Sequence, residues 1–159
     1  MSGMSPSMVT KKRLLHSAET PVLTEDNIPK GYSLGEHNSN GGKEIEKWED
    51  GVVTIGGYIP QFRQPKLRSG HMIAAREVQG IYYYPGYDVA LCLINNPDLL
   101  PRQWFKRGLE VGFWGTTFDH EKRGQICVAV LSLKKNKLVC QIRSLQTTFG
   151  KNHRIIVGQ

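Results

Sequence analysis

The chain has no acidic residue after Glu121, although its last 38 positions carry eight lysine or arginine side chains. Those eight are Lys122, Arg123, Lys134, Lys135, Lys137, Arg143, Lys151 and Arg154. Acidic and basic residues nearly balance before that point, so the formal net charge of +7 arises at one end of the sequence. Segregated charge of this kind creates a local positive field, which attracts polyanions such as nucleic acid or an anionic membrane surface.

Other features are missing that define other protein classes. The three cysteines, Cys92, Cys127 and Cys140, have no CxxC spacing, which disfavours a disulfide framework or a zinc site. There is no apolar run long enough for a transmembrane helix and no signal-peptide pattern at the start, so we expect an intracellular, cytoplasmic or nuclear protein with free thiols. The phosphate-binding motifs GxxxxGK[ST] and GxGxxG do not occur and the histidines are dispersed, so we expect no cofactor, no metal and no small-molecule substrate.

Residues 1–45 are rich in Ser, Thr, Pro, Gly and Asn and show no apolar periodicity. Such a segment cannot bury enough surface to offset its conformational entropy, so we expect a flexible, disordered N-terminal arm. The remaining residues, 46–159, suit one β-rich domain in which order begins near Trp48. The fold class that we expect is mainly β, or α+β with one short helix, as a compact antiparallel sheet or a small barrel or sandwich.

Apolar runs and turn residues predict the elements of this domain. Met72–Val78 and Val89–Ile94 are predicted strands, and the second is apolar at every position, as in a strand covered on both faces. One helix is predicted from Pro97 to about Arg107, with Asn96 as its N-cap and basic residues complementing the dipole at its end.

The C-terminal part of the chain predicts a β-hairpin. Ile126–Leu133 and Leu138–Leu145 are its strands, and a two-residue turn at Lys135–Asn136 places Lys134 opposite Lys137. The same register keeps the two cysteines of the hairpin apart, because it pairs Cys127 with Ser144 and Cys140 with Leu131. Arg154–Val157 is predicted to complete the sheet.

This hairpin is the best candidate for a binding element, because the lysines at its tip crowd like charges together unless a polyanion or solvent screens them. We therefore expect a non-enzymatic binding or structural protein in which the eight C-terminal cations contact the phosphates of RNA or DNA. Tyr82, Tyr84 and Tyr87 are candidate residues for stacking on unpaired bases. A plainer interpretation also stands, in which the lysines protect a sheet edge and the tyrosines pack in the core.

The same cations suit a second class of partner. A basic β domain with a flexible arm could bind an anionic membrane surface and self-associate as a homo-oligomer, as a viral matrix-like structural protein does.

Three short segments resemble the chymotrypsin-like serine proteases, in the order in which that family has them. They are TIGGY (54–58), DVALCLI (88–94) and GFWGTT (112–117). The resemblance implies Asp88 as the orienting carboxylate and His71 as the general base, with Cys127 as a possible nucleophile. No GDSGG-like segment follows. A degenerate or divergent protease therefore stays open as a second alternative.

Overall fold

The computed structural model describes residues 12–37, 43–65, 68–77 and 83–158. Within these ranges the protein is mainly β, which confirms the predicted fold class. The strands are β1 (Leu14–Glu19), β2 (Tyr32–His37), β3 (Glu44–Trp48), β4 (Val53–Ile55), β5 (Gln61–Arg63), β6 (Arg68–Ser69), β7 (Glu110–His120), β8 (Ile126–Lys134), β9 (Lys137–Ser144), β10 (Thr148–Phe149) and β11 (His153–Val157). The helices are α1 (Gly70–Glu77) and α2 (Tyr87–Asn95), with 3-10 stretches at Glu25–Asn27, Pro97–Leu99 and Arg102–Gly108. None of these helices is long and apolar enough to cross a membrane.

A six-stranded sheet forms the centre of the fold. Its main path runs β5-β11-β7-β8-β9. One edge of β7 pairs with β8, and the other edge is shared by two strands. On that second edge β11 pairs with the first half of β7 and β2 pairs with its C-terminal half. The pairing of β7 with β11 is parallel, whereas the other pairs of this sheet are antiparallel. The sheet is open, with β5 and β9 at the two ends of the path. Strands β1, β3 and β4 form a smaller sheet, and β6 pairs with β10.

Strand β8 is covered on both faces from Cys127 to Leu131, which explains why these five residues are all apolar. Cys127, Ala129 and Leu131 belong to a first core, which also contains residues of α2 and of the smaller sheet. Val128 and Val130 belong to a second core, which α1 joins through Ile73. Because successive side chains of a strand point to opposite faces, the central sheet separates these two cores.

Val89–Ile94 forms most of helix α2, so the strand predicted there was wrong. A short apolar run that is buried all round fits a helix as well as a strand, and periodicity alone cannot separate the two. The residues around the run favour the helix. Gly86 takes an extended N-cap conformation, and the hydroxyl of Thr116 accepts a hydrogen bond of 2.8 Å from the backbone N–H of Tyr87 in the first turn.

Two further segments differ from the prediction. Met72–Val78 was predicted as a strand, but the chain is helical up to Glu77 in α1, where an Ala-Ala-Arg-Glu sequence favours the helix. The helix predicted from Pro97 to Arg107 is divided into two 3-10 stretches, because Leu100 precedes Pro101 and adopts an extended conformation (φ −67°, ψ 118°).

Among the residues that the structure describes, the first strand begins at Leu14, well before Trp48. Within the arm predicted to be flexible, β1 pairs with β3 and β2 pairs with β7. Leu23, Ile28 and Tyr32 are partly buried and pack against the first core, which the polar composition of this segment did not suggest. Residues 1–11 and 38–42 of the same arm lie outside the described residues.

The predicted hairpin is confirmed in its turn and its register. Lys135 and Asn136 both adopt left-handed conformations, with φ of 51° and 62°, and Lys134 pairs with Lys137. The cysteine pairs follow as predicted, with Cys127 opposite Ser144 and Cys140 opposite Leu131. The last strand, β11, is also present, but it lies between β5 and β7 and not beyond β9.

Candidate nucleic-acid interface

The strand pairing distributes the C-terminal cations between two ends of the central sheet. The turn between β8 and β9, the start of β7 and the start of β11 lie at one end, because Glu110 pairs with His153 and Val111 pairs with Leu131. The turn between β7 and β8 lies at the other end. The eight residue steps of β8 separate the two ends by about 27 Å, at roughly 3.4 Å per residue.

Six exposed cations from three chain segments lie at the hairpin end of the sheet, and we call them the basic end. They are Lys106, Arg107, Lys134, Lys135, Lys137 and Lys151. The first two precede β7, the next three form the hairpin tip, and the last precedes β11. A hydrogen bond of 2.9 Å from the backbone N–H of Glu110 to the carbonyl of Asn152 ties two of these segments together.

Lys106 and Arg107 reach the basic end through a break in the 3-10 stretch that precedes β7. Lys106 has an extended ψ of 145° and Arg107 a left-handed φ of 58°, so the chain turns there before it enters the strand. The sequence placed these two residues at the end of a longer helix and gave them no binding role. The basic pair is visible in the sequence, but the strand order that brings it beside the hairpin is not.

Glu110 is the single acidic residue of the segments that build the basic end, 106–110, 132–139 and 150–154. Its carboxylate accepts two hydrogen bonds from Arg143, Nη1 to Oε1 at 2.8 Å and Nη2 to Oε2 at 2.7 Å. Burial opposes ionisation of Glu110, but the hydrogen bonds from His153 and Arg143 and the charge of Arg143 lower the pKa of its carboxyl to about 2. The carboxylate of Glu110 is therefore charged and already paired.

A buried neutral histidine donates a hydrogen bond to this ion pair beneath the basic end. His153 is fully buried, and its Nε2 accepts a hydrogen bond of 3.0 Å from the indole N–H of Trp114. Because the indole can only donate, the proton of the neutral ring is on Nδ1, which donates to Glu110 at 3.3 Å. Gly112 leaves the room for this contact, since a Cβ there would lie 2.5 Å from the ring of His153.

The structure corrects the prediction that all eight C-terminal cations share one surface. Lys122 and Arg123 are exposed at the far end of the sheet, in a turn where their backbone N–H groups donate to Nδ1 of His120. Arg143 is held by Glu110. Arg154 donates to the carbonyl oxygen of Lys151 at 2.6 Å, so its guanidinium supports the turn that carries Lys151.

The predicted stacking residues are corrected as well. Tyr84 and Tyr87 are buried, with 9% and 6% of their surface exposed, so neither ring is available to a base. Tyr87 packs edge-on against Phe118 with 5.0 Å between ring centroids, and burial raises its pKa to about 12. The plainer interpretation of these two tyrosines, as core residues, is the one that the structure supports. Tyr82 lies outside the described residues.

The residues implied by the protease resemblance do not form a site. Asp88 is fully buried in α2, whereas His71 is exposed on α1, and the two helices pack against different cores. The segment 88–94 is helical where the resemblance implies a strand. Cys127 is also buried, which raises the pKa of its thiol. No group of three metal-binding side chains lies together in the part of the chain that the structure describes.

Comparison with known proteins gives no family assignment. No protein-family model matches the chain, and no curated protein or solved structure is significantly similar to it. The basic end is therefore the feature from which a function can be inferred.

Proposed function

We propose that this protein is a non-enzymatic nucleic-acid-binding protein whose basic end contacts the phosphates of RNA or DNA. The observation that carries the proposal is the convergence of six exposed cations from three chain segments, together with the pairing of the one acidic residue of those segments, Glu110. Positive charge that is concentrated in this way and not neutralised locally favours a polyanionic ligand.

The geometry of the basic end suits an extended phosphate backbone. Strands β9, β8, β7 and β11 lie side by side, so the end of the sheet spans about 14 Å at roughly 4.8 Å per strand spacing. Along the axis of a duplex each strand has one phosphate per roughly 3.4 Å, so this width equals the axial rise of about four phosphates of one strand. Lys134 and Lys137 lie directly opposite each other, and bound phosphates would relieve their mutual repulsion.

Lysine-rich contacts to phosphates position a nucleic acid without reading its bases, so we expect binding that is independent of sequence. If four to six cations contact phosphates of duplex DNA, log affinity falls with log salt at a slope of about −4 to −5. A salt titration with duplex DNA and single-stranded RNA measures this slope. Binding that did not change between low and moderate salt would contradict the proposal.

A pair of charge-reversal variants separates the basic end from the overall charge of the protein. The test variant changes Lys134, Lys135 and Lys137 to Glu. The control changes Lys30, Lys122 and Arg123 to Glu, three exposed residues near the other end of the sheet. Their segments meet there, because the backbone N–H of Glu121 donates a hydrogen bond to the carbonyl of Gly31. Both variants alter the net charge by the same amount. We expect the first to lose about 100-fold or more in affinity at moderate salt and the second to lose far less.

Anionic vesicles belong in the same experiment, because the cations could serve a membrane surface instead. Co-sedimentation with vesicles in the absence of nucleic-acid binding would replace the proposal by the matrix-like alternative. Nucleic-acid binding agrees with an intracellular location, cytoplasmic or nuclear, in which the free thiols of Cys92, Cys127 and Cys140 stay reduced.

A further inference from the structure

Strand β9 is a long and regular edge of the central sheet. It has eight residues in continuous register with β8, and among the described strands β8 is its one partner. The other edges are shorter or irregular. Strands β4 and β5 have three residues each, and the pairings of β1 and β2 are interrupted by register shifts. Shortness and irregularity protect an edge against further pairing, and β9 has neither.

The register of the hairpin determines which backbone groups of β9 point away from β8. In a two-residue hairpin the residues that flank the turn, here Lys134 and Lys137, are a hydrogen-bonded pair. Every second residue of β9 repeats this bonding, as far as Leu145, whose N–H donates to the carbonyl of Ile126 at 2.8 Å. The N–H and C=O groups of the residues between them therefore point outward. In the body of the strand these residues are Leu138, Cys140 and Ile142.

The side chains beside these outward groups suit an added strand. Leu138, Cys140 and Ile142 are half-buried and pack against the first core, so one face of the edge is an apolar ledge. The segment from Leu138 to Ile142 has no proline, no glycine and no charged residue. Charge is confined to its two ends. Lys137 and the tip lysines lie at one end, and Arg143, which Glu110 already pairs, lies at the other.

We propose that β9 accepts an extended acidic segment of a partner protein as an additional strand. The backbone groups of alternate residues would supply the hydrogen bonds, and apolar side chains of the partner would pack beside Leu138, Cys140 and Ile142. Charge favours an acidic partner over a second copy of this chain, because each copy has a net charge of +7 and the same lysine tip beside the edge. The proposal does not depend on nucleic-acid binding, although Lys137 takes part in both.

Hydrogen exchange gives a residue-by-residue test on the full chain. In the free protein the amides of Leu138, Cys140 and Ile142 should exchange fast, while those of Val139 and Gln141, which bond to β8, should exchange slowly. Slow exchange at all five positions without a ligand would overturn the proposal, because another segment or a second copy would then already occupy the edge. A dependence of that protection on protein concentration would identify the occupant as a second copy.

The binding probe is a peptide of about eight residues with alternating valine and threonine, and with two glutamates at its carboxyl end. Antiparallel pairing places these glutamates beside Lys137. Binding should slow exchange at Leu138, Cys140 and Ile142 in particular. Replacing the glutamates by lysines should weaken binding about threefold to tenfold. A peptide N-methylated at the residues that face β9 should bind about tenfold to 100-fold more weakly. Equal binding of the N-methylated peptide would overturn the proposal.

A variant of the protein provides the converse test. In Cys140→Pro the lost N–H is one that points outward, so the ladder with β8 keeps its hydrogen bonds while the edge loses a donor. The variant should bind the peptide at least about tenfold more weakly, and slow hydrogen exchange at Val139 and Gln141 should show that it is folded. Unchanged peptide affinity in the folded variant would contradict strand addition. A failure of the nucleic-acid-binding proposal would be detected by a different experiment, the salt titration, and would leave the peptide-binding result unaffected.

Discussion

Arg143 and Glu110 form a bidentate ion pair that spans strand β8. The two residues lie on β9 and β7, on either side of β8, and both side chains are largely buried. The guanidinium of Arg143 also lies 5.1 Å from the ring centroid of Phe149 in the second core. Arg143, which the sequence groups with the predicted binding residues, thus links β9 to β7 and β10.

Replacing Arg143 by Met should lower the free energy of unfolding by about 3 kcal/mol, because it leaves the carboxylate of Glu110 buried without its main partner. Urea denaturation measures this loss. The double variant Arg143→Met with Glu110→Gln should recover part of it, since no unpaired charge remains. If Arg143 is structural, the folded single variant should also bind nucleic acid within about twofold of the wild type. A tenfold loss of affinity would instead show that Arg143 contacts the ligand.

The stability of the protein should fall as the pH decreases below about 6.5, because of His153. Burial lowers the pKa of His153 in the folded state. The unfolded chain therefore takes up a proton near the ordinary histidine pKa of about 6.5, and the folded state resists it. Below that pH, protonation of His153 stabilises the unfolded chain and so lowers the free energy of unfolding. Above that pH, His153 is neutral in both the folded and the unfolded state, and this loss is absent.

Glu110 adds a second loss in more acidic solution. Its pKa is lowered to about 2, so its contribution to stability is present above the ordinary value of 4.5 and is lost as the pH falls from there towards 2. Urea midpoints measured from pH 2 to 8 on the wild type and on His153→Gln separate the two groups, because the loss due to His153 begins below about pH 6.5 and the loss due to Glu110 below 4.5. We expect the variant to be less stable at neutral pH but to show a flatter dependence between about pH 5 and 7. An unchanged slope would contradict the role given to His153.

The sequence allowed the hairpin to be predicted in detail because the information is local. Asn136 tolerates a left-handed conformation, and the turn at Lys135–Asn136 stands between two strand-forming runs, so the turn fixes the register of every pair down to Cys127 and Ser144. The same reasoning failed at Val89–Ile94, where local pattern does not distinguish a buried helix from a buried strand. It also failed for residues 14–37, whose apolar side chains are few but pack against a core that other segments build.

The site was predicted only in part, for a related reason. Lys134, Lys135 and Lys137 belong to one turn, so their proximity follows from the hairpin alone. Lys106 and Arg107 join them only because β7 pairs with β8, and the ion pair that removes Arg143 from the surface depends on the same strand order. The pairing of strands that are far apart in the chain could not be predicted from one sequence.

Lys106 and Arg107 provide the sharpest test of this grouping, because they are about 30 residues from the hairpin in sequence. Changing both to Gln removes two charges without altering the strain at Arg107, since glutamine at φ 58° costs about as much as arginine. If both contact phosphates, the salt slope on duplex DNA should become shallower by about two, at roughly 0.9 per contact. The matched control, Lys122→Gln with Arg123→Gln, removes the same charge at the far end and should leave the slope unchanged. If instead both pairs changed the slope equally, nucleic acid would respond to the net charge of the protein, and the basic end would lose its meaning as a site.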